Sequence, residues 1–233
     1  MDENPGVYSL IKYQVNWPGQ GDPYYILEAG VRVDYYEVTT VPSLYVNSEN
    51  FSPAMDISQE DFDAFQDAET ALEIEITQAT IDNDNMINIE SELLSKVNYA
   101  TGLSAHIVVV EKLTVDNVGS NGETEFHNVM MAMLPDALGE TLEEINTDVP
   151  VTLIQSYDMD ETNMETKDDL AVVVFVQDNT DNSILQSAMI DVTVISGTED
   201  HLLGQGEVKL FPNPASNMLM IESASDIQKI EMY

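Results

Sequence analysis

Apolar and polar residues alternate along most of this chain, and the places where the alternation lapses are runs that are apolar on both sides. The most pronounced is His106-Ile-Val-Val-Val-Glu111, inside the stretch Leu103 to Leu134. Its residues are mostly β-branched, with Ala105, Ile107 and Val109 on one face and His106, Val108 and Val110 on the other. That pattern predicts a strand covered on both faces at the centre of a sheet. Asp116-Asn117, Gly119 and Asn121-Gly122 follow, an accumulation of turn formers that reverses the chain. Phe126, Val129, Met130, Met133 and Leu134 then recur at helical spacing. They predict a short amphipathic helical turn capping the core, stopped by Pro135.

The same alternation extends to both sides of this stretch. Leu72, Ile74 and Ile76 alternate with acidic residues, as do Ile87 and Ile89 with Asn88 and Glu90, the pattern of strands with one wet face. Further apolar runs cover Val149 to Ser156, Leu170 to Gln177 and Ser187 to Ile195, separated by turns rich in Asp and Asn. Some six or seven strands at this spacing predict an immunoglobulin-like sandwich over residues 70–196.

Residues 1–69 have a different texture. Val7 to Val15 predicts a strand that ends at Trp17-Pro18-Gly19. Asp22-Pro23 predicts a helix start, with Asp as N-cap and Pro preset for the first helical position; Ile26, Ala29, Gly30, Val33 and Tyr36 then share one helical face. Ser43 to Asn47 predicts a buried strand, giving a β-α-β order. Ser58 and Asp61 form a capping-box pattern with an Ile57–Phe62 staple, and Phe62 and Phe65 are placed to dock that helix on the sheet. The expected class is therefore α+β followed by all-β.

Composition narrows the function classes. The 233 residues carry 43 acidic and 7 basic side chains, a formal charge of −36, which repels phosphate backbones and anionic membranes and excludes nucleic acid as a partner. The plain reading of the acidity is a solvated surface; the sharper one is divalent-cation binding. No cysteine is present, so disulfides, cysteine metal sites and a thiolate nucleophile are excluded. Met1-Asp2-Glu3-Asn4-Pro5 has neither the basic start nor the apolar core of a signal peptide, and no apolar run approaches the length of a membrane span. Both ends of the chain are nevertheless expected to be cut, for the reasons that follow.

Three stretches carry resemblances to known families. The helix opening Asp22-Pro-Tyr-Tyr25, then Arg32, Tyr35-Tyr36-Glu-Val38 and Val41-Pro42-Ser43 leading into Leu-Tyr-Val-Asn47, resembles the second half of a thioredoxin-like domain. The resemblance implies a cis-proline at Pro42 and a first strand and Cys-x-x-C helix upstream of Met1. Ser104 to Lys112 followed by Gly122-Glu-Thr-Glu-Phe-His-Asn-Val-Met-Met-Ala-Met-Leu-Pro135 resembles the outer membrane protein twenty-eight-related family, secreted or surface proteins that join a thioredoxin-like domain to a β-sandwich. After a linker over 197–207, Val208-Lys-Leu-Phe-Pro-Asn-Pro-Ala-Ser-Asn-Met-Leu-Met-Ile221 resembles the opening of a type A sorting domain of the type IX secretion system. Phe211, Pro212, Asn213 and Pro214 are the sorting signal this implies, and residues 208–233 would be the start of a longer β-rich domain.

Candidate chemistry is sparse. His106, His127 and His201 show no metal-ligand spacing and read as strand, cap and linker residues. No Gly-x-Ser-x-Gly nucleophile elbow occurs. Asp158, Asp160 and Asn163 supply alternating oxygen donors for calcium, yet lack the glycine and distal Glu of an EF-hand loop; solvated hairpin turns are the alternative. Tyr24, Tyr25, Tyr35 and Tyr36 read either as a ligand platform or as half-buried packing. The expected function is an exported cell-surface or secreted binding protein. It would be delivered by the type IX secretion machinery to an extracellular protein or glycan partner, with no catalysis in this chain and no cofactor unless calcium. The alternative is an exported thiol-disulfide oxidoreductase whose Cys-x-x-C half precedes Met1.

Overall fold

The computed structural model describes residues 8–51, 57–195, 208–211 and 220–223. The chain divides into two compact units, Met1–Ser196 and Gly197–Tyr233. In the first, β-structure dominates, and its helices are short.

In chain order the elements are α1 (Leu27–Tyr35), β1 (Leu44–Val46), β2 (Glu49–Phe51), α2 (Gln59–Gln66), β3 (Leu72–Ile81), β4 (Met86–Ser95), β5 (Leu103–Thr114), β6 (Phe126–Leu134) and β7 (Glu140–Leu142). They continue with β8 (Val151–Asp158), β9 (Leu170–Asp178), β10 (Ile184–Asp191) and β11 (Thr193–Val194). One sheet has the order β10-β9-β5-β6, with β7 also on β5; the other has the order β11-β3-β4-β8. All pairings are antiparallel except β11 with β3.

The sheets lie face to face. Ile81, Ile87, Ile89 and Leu93 of one join Ala105, Ile107, Val109, Val172 and Val174 of the other in a single buried cluster. Each of the Ile, Leu and Val side chains contributes about 1.5–3 kcal/mol on leaving water. The alternation in β4 follows directly, since odd-numbered Ile87 to Ser95 point inward and even-numbered residues toward solvent. β5 lies between β9 and β6, and Val108 and Val110 on its second face belong to another buried cluster beneath α1. Double-sided burial is thus the reason Ile107–Val110 of this strand are apolar on both faces.

Several sequence expectations are corrected. Phe126–Leu134 is not a helical turn but strand β6, paired with β5 over its whole length. Two irregularities produce the helical spacing. Asn128 has φ +52°, and a register shift sets Val109 opposite Ala132 but Val110 opposite Met130, leaving Met131 as an extra residue. Each breaks the two-residue period, so inward positions fall three apart.

Asp22-Pro23 does not start the helix. The Asp22 carboxylate accepts the Val15 amide at 3.1 Å and the Asp22 amide donates to the Val15 carbonyl at 2.7 Å, closing the loop between them. Helix α1 begins four residues later with Ile26 as an N-cap that has no side-chain bond. The expected strand ending at Val15 makes one parallel bridge, Lys12 to Val129, and so lies along the edge of β6. The strand after Pro42 is half of a hairpin, turned by Asn47 and Ser48 at φ +47° and +75°. At α2 the expected capping box is present, with Ser58 and Asp61 bonding reciprocally; Phe65 faces Phe51 and Phe62 faces Tyr8.

In the second unit β12 (Val208–Phe211) pairs antiparallel with β13 (Met220–Ser223), Leu210 opposite Ile221. Residues 197–207, including His201, and Pro212, Asn213 and Pro214 lie outside the described residues.

Candidate cleft and its anchors

The start of α1 with the residues just before it, and the end of β8 with the segment after it, stand on either side of a cleft of about 430 Å³. Tyr25, Ile26, Leu27 and Glu28 form one wall; Tyr157, Glu161, Thr162 and Asn163 form the other. Met131, Met133 and Pro135 from the end of β6 make the floor. The β6 irregularity at Met131 therefore belongs to the cleft, turning an apolar side chain to a place the strand period denies it.

Two buried polar assemblies position these walls. Arg32, one turn along α1 from Glu28, is 2% exposed. Its guanidinium donates to the Gln177 side-chain carbonyl at 2.9 Å, to the Tyr36 hydroxyl at 2.8 Å and to the Ala137 carbonyl at 3.4 Å. The rings of Tyr35 and Tyr36 lie 4.6 and 4.8 Å from it, and that of Phe175 at 5.9 Å. No ion pair to Arg32 occurs among the described residues; neutral dipoles and ring faces surround it, an arrangement a planar, weakly hydrated guanidinium tolerates better than an ammonium. Beside it His106 stacks on Phe175 with centroids 4.6 Å apart. Burial, then the Arg32 charge, lowers the His106 pKa to about 3, so the imidazole is neutral near pH 7.

The second assembly ties the walls to each other. The carboxylate of Glu111, fully buried at the end of β5, accepts the amides of Glu165 and Thr166 at 2.9 and 2.7 Å. Burial pushes its carboxyl up, against the pull of those two amides. Glu165 in turn accepts the amides of Val115 and Asp116 at 2.7 and 2.8 Å and the hydroxyl of Tyr24. Burial alone would raise the Glu165 pKa, but the Tyr24 hydroxyl and the two amides outweigh it and leave it lowered. Tyr24 is buried against the edge of Phe126. One chain of contacts thus runs from β5 through the loop after the cleft to the residue before Tyr25.

The four tyrosines separate by role. Tyr24 is core and anchor, Tyr35 and Tyr36 flank Arg32, and Tyr25 alone lines the cleft. Tyr25 is held back on α1 by Gly30, where an added Cβ would stand 2.5 Å from the phenolic oxygen. Asp158 caps the following 3₁₀ turn by accepting the Asp160 amide at 3.0 Å, Asp160 accepts the Asn85 side-chain amide at 2.7 Å, and Asn163 faces the cleft. Among the described residues no three His, Cys, Asp or Glu side chains converge as metal ligands. The Val41–Pro42 peptide is cis, with both residues exposed before β1. His127 is exposed on β6. Sequence reasoning passed over Arg32, Gln177, Glu111 and Glu165 as site-forming residues; a lone basic residue in an apolar helix face was the available signal for the first.

No family model matches the chain, and no curated protein matches it. Among solved structures it is similar to β-glucosidase from Kluyveromyces marxianus, at 12% identity and TM-score 0.32, over 53% of this chain and 14% of that one. It is also similar to β-glucosidase from Listeria innocua bound to gluconolactone, at 8% identity and TM-score 0.31, over 55% and 17%. For the alkylpurine DNA glycosylase AlkC of Pseudomonas fluorescens bound to abasic-site DNA the values are 17%, 0.26, 53% and 31%. The chain thus spans less than a third of the length of each of these proteins. Likeness this slight says nothing of what the chain does. Among the described residues no helix is long and apolar enough to cross a membrane.

Proposed function

We propose that this protein is exported by a type IX secretion system, to the cell surface or the medium, and acts there by binding a protein or glycan partner. The observation that carries the export reading is Phe211-Pro-Asn-Pro214 following an acidic linker, with its resemblance to a type A sorting domain. Strands β12 and β13 on either side of the Pro-Asn-Pro segment are in keeping with it. The binding reading draws support from the cleft, an apolar floor between two walls that buried polar contacts hold in place.

The finer architecture is part of the same proposal. The extended segment, helix and strand over 8–46 support a thioredoxin-like half domain. Two facing antiparallel sheets built of long strands support an immunoglobulin-like sandwich over 70–196. Together they suit the outer membrane protein twenty-eight-related family.

The test is made in a bacterium that carries the type IX machinery. Protein accessible to protease on intact cells, or free in the medium, is the expected result. It should be lost both in a strain lacking the machinery and on combining Phe211→Ala with Pro214→Ala. Undiminished export in either case overturns the proposal.

A further inference from the structure

The cleft walls carry two carboxylates and no cation. Glu28 projects from the first turn of α1 and Glu161 from the 3₁₀ turn Met159–Glu161, and both line the cleft. Neither has an ion pair among the described residues. The basic side chains with described positions are engaged elsewhere: Lys12 on Glu123, Lys96 on Asp148, Lys112 on Asp169 and Asp191, and Lys167 on the Asp82 carbonyl, while Arg32 is buried behind the helix. Burial, then the charges of Glu161, Glu28 and Asp158, raises the Tyr157 pKa, as expected where carboxylates converge beside a ring.

Apart from Thr162 and Asn163, the rest of the cleft is apolar and aromatic. Leu27 at its lip is 76% exposed, and Val31 one turn along the helix is 42% exposed. A small ion would leave both uncovered; a polypeptide lying over the lip would cover them.

From this charge complementarity we infer that the cleft binds a basic, partly apolar segment of a partner polypeptide, one Lys or Arg stem lying against Tyr25, Ile26 and Leu27 with its cationic head between Glu28 and Glu161. The stem of such a side chain covers apolar surface while its head stays at the polar rim. The rings of Tyr25 and Tyr157 offer faces that attract a cation. This rests on the binding reading above and names the partner chemistry for it.

The probe is a fluorescein-labelled, acetylated peptide of alternating Lys and Leu, titrated with the purified full chain and read by anisotropy at about 150 mM salt, where long-range attraction to the acidic surface is largely screened. Glu28→Gln combined with Glu161→Gln is expected to weaken binding about tenfold or more. Glu73→Gln combined with Glu92→Gln removes the same charge from β3 and β4 and should change it less than about twofold. Circular dichroism of each variant confirms folding. Absence of saturable binding, or equal weakening in both double variants, overturns the inference, the latter showing diffuse attraction to an acidic surface. Displacement of the peptide by equimolar n-butylamine also overturns it, in favour of a small-amine site. Export is read in cells and peptide binding on purified protein, so the two proposals fail separately.

Discussion

The Tyr24 hydroxyl donates to the Glu165 carboxylate across 141 positions of sequence, and this bond joins the two walls of the cleft. Tyr24 precedes the α1 wall, while Glu165 follows the Tyr157–Asn163 wall and is fixed in place by the amides of Val115 and Asp116. Removing the hydroxyl leaves the ring against Phe126 but releases one wall from the other. Tyr24→Phe is therefore expected to cost about 1.5–3 kcal/mol, the range for a hydrogen bond to a charged group. Urea denaturation measures it, and a midpoint equal to that of the parent chain would refute the tie.

Arg32 should resist conservative replacement. A lysine at this position keeps the charge but cannot bond Gln177, Tyr36 and the Ala137 carbonyl while stacking between rings. Arg32→Lys is expected to lose about 2 kcal/mol or more. Stability within about 0.5 kcal/mol of the parent, the usual range for an unremarkable surface change, would show that the guanidinium geometry is immaterial.

Acid should destabilise the protein through His106. Its folded pKa of about 3 lies below the ordinary value of 6.5, so above pH 6.5 the imidazole is neutral folded or unfolded and contributes no slope. Between about pH 6.5 and 3 only the unfolded chain takes up the proton, and stability falls by about 1.4 kcal/mol per pH unit from this group. Glu111 works in the opposite sense, because its raised pKa favours the fold at low pH and loses that contribution as pH rises. Comparison with His106→Leu isolates the histidine. The stability difference between the two proteins should change steadily over that window, and parallel pH profiles would contradict the assignment.

The outer face of the four-stranded sheet holds an unfavourable pair. Glu75 stands directly opposite Glu92 in the register of β3 and β4. Like charges so placed are destabilising, and Glu92→Lys should gain about 0.5–1 kcal/mol at low salt, with the gain shrinking as salt is added. Thermal melts at two ionic strengths decide it; an unchanged or lowered melting temperature at low salt counts against the register argument.

Separating the helical segment from the sandwich should expose an apolar face. Ala29 packs into the cluster that holds Val108, Val110, Met130, Val173 and Phe175, with Tyr13 and Tyr25 against it. Residues 70–196 expressed alone should bind a hydrophobic dye and aggregate, and residues 1–70 alone should be poorly soluble. A soluble, cooperatively melting 1–70 product, or a dye-silent sandwich, would overturn the expectation.

Most of the strands of the molecule were legible locally. β5 announced its central place by being apolar on two faces, β3 and β4 by alternation, and α2 by a capping box, because period and capping are short-range properties that a few neighbouring residues settle. Glu111 shows the limit of such reading. It sits where the apolar run ends and looks like the wet end of a strand, but the amides of residues 165 and 166 cover it.

What the sequence by itself determined is a β-rich chain with a helical opening, a strongly acidic surface and no thiol chemistry, since these depend on composition and on periods of a few residues. Tertiary structure alone decided that Phe126–Leu134 is a strand and that Asp22 closes a loop. It likewise decided that Arg32 is an interior cation and that Tyr24 meets Glu165. Apart from the Asp22 loop, which closes on Val15 seven residues away, each of these turns on a partner beyond the local sequence, and the free energy of such a contact exists only once folding has brought the two together.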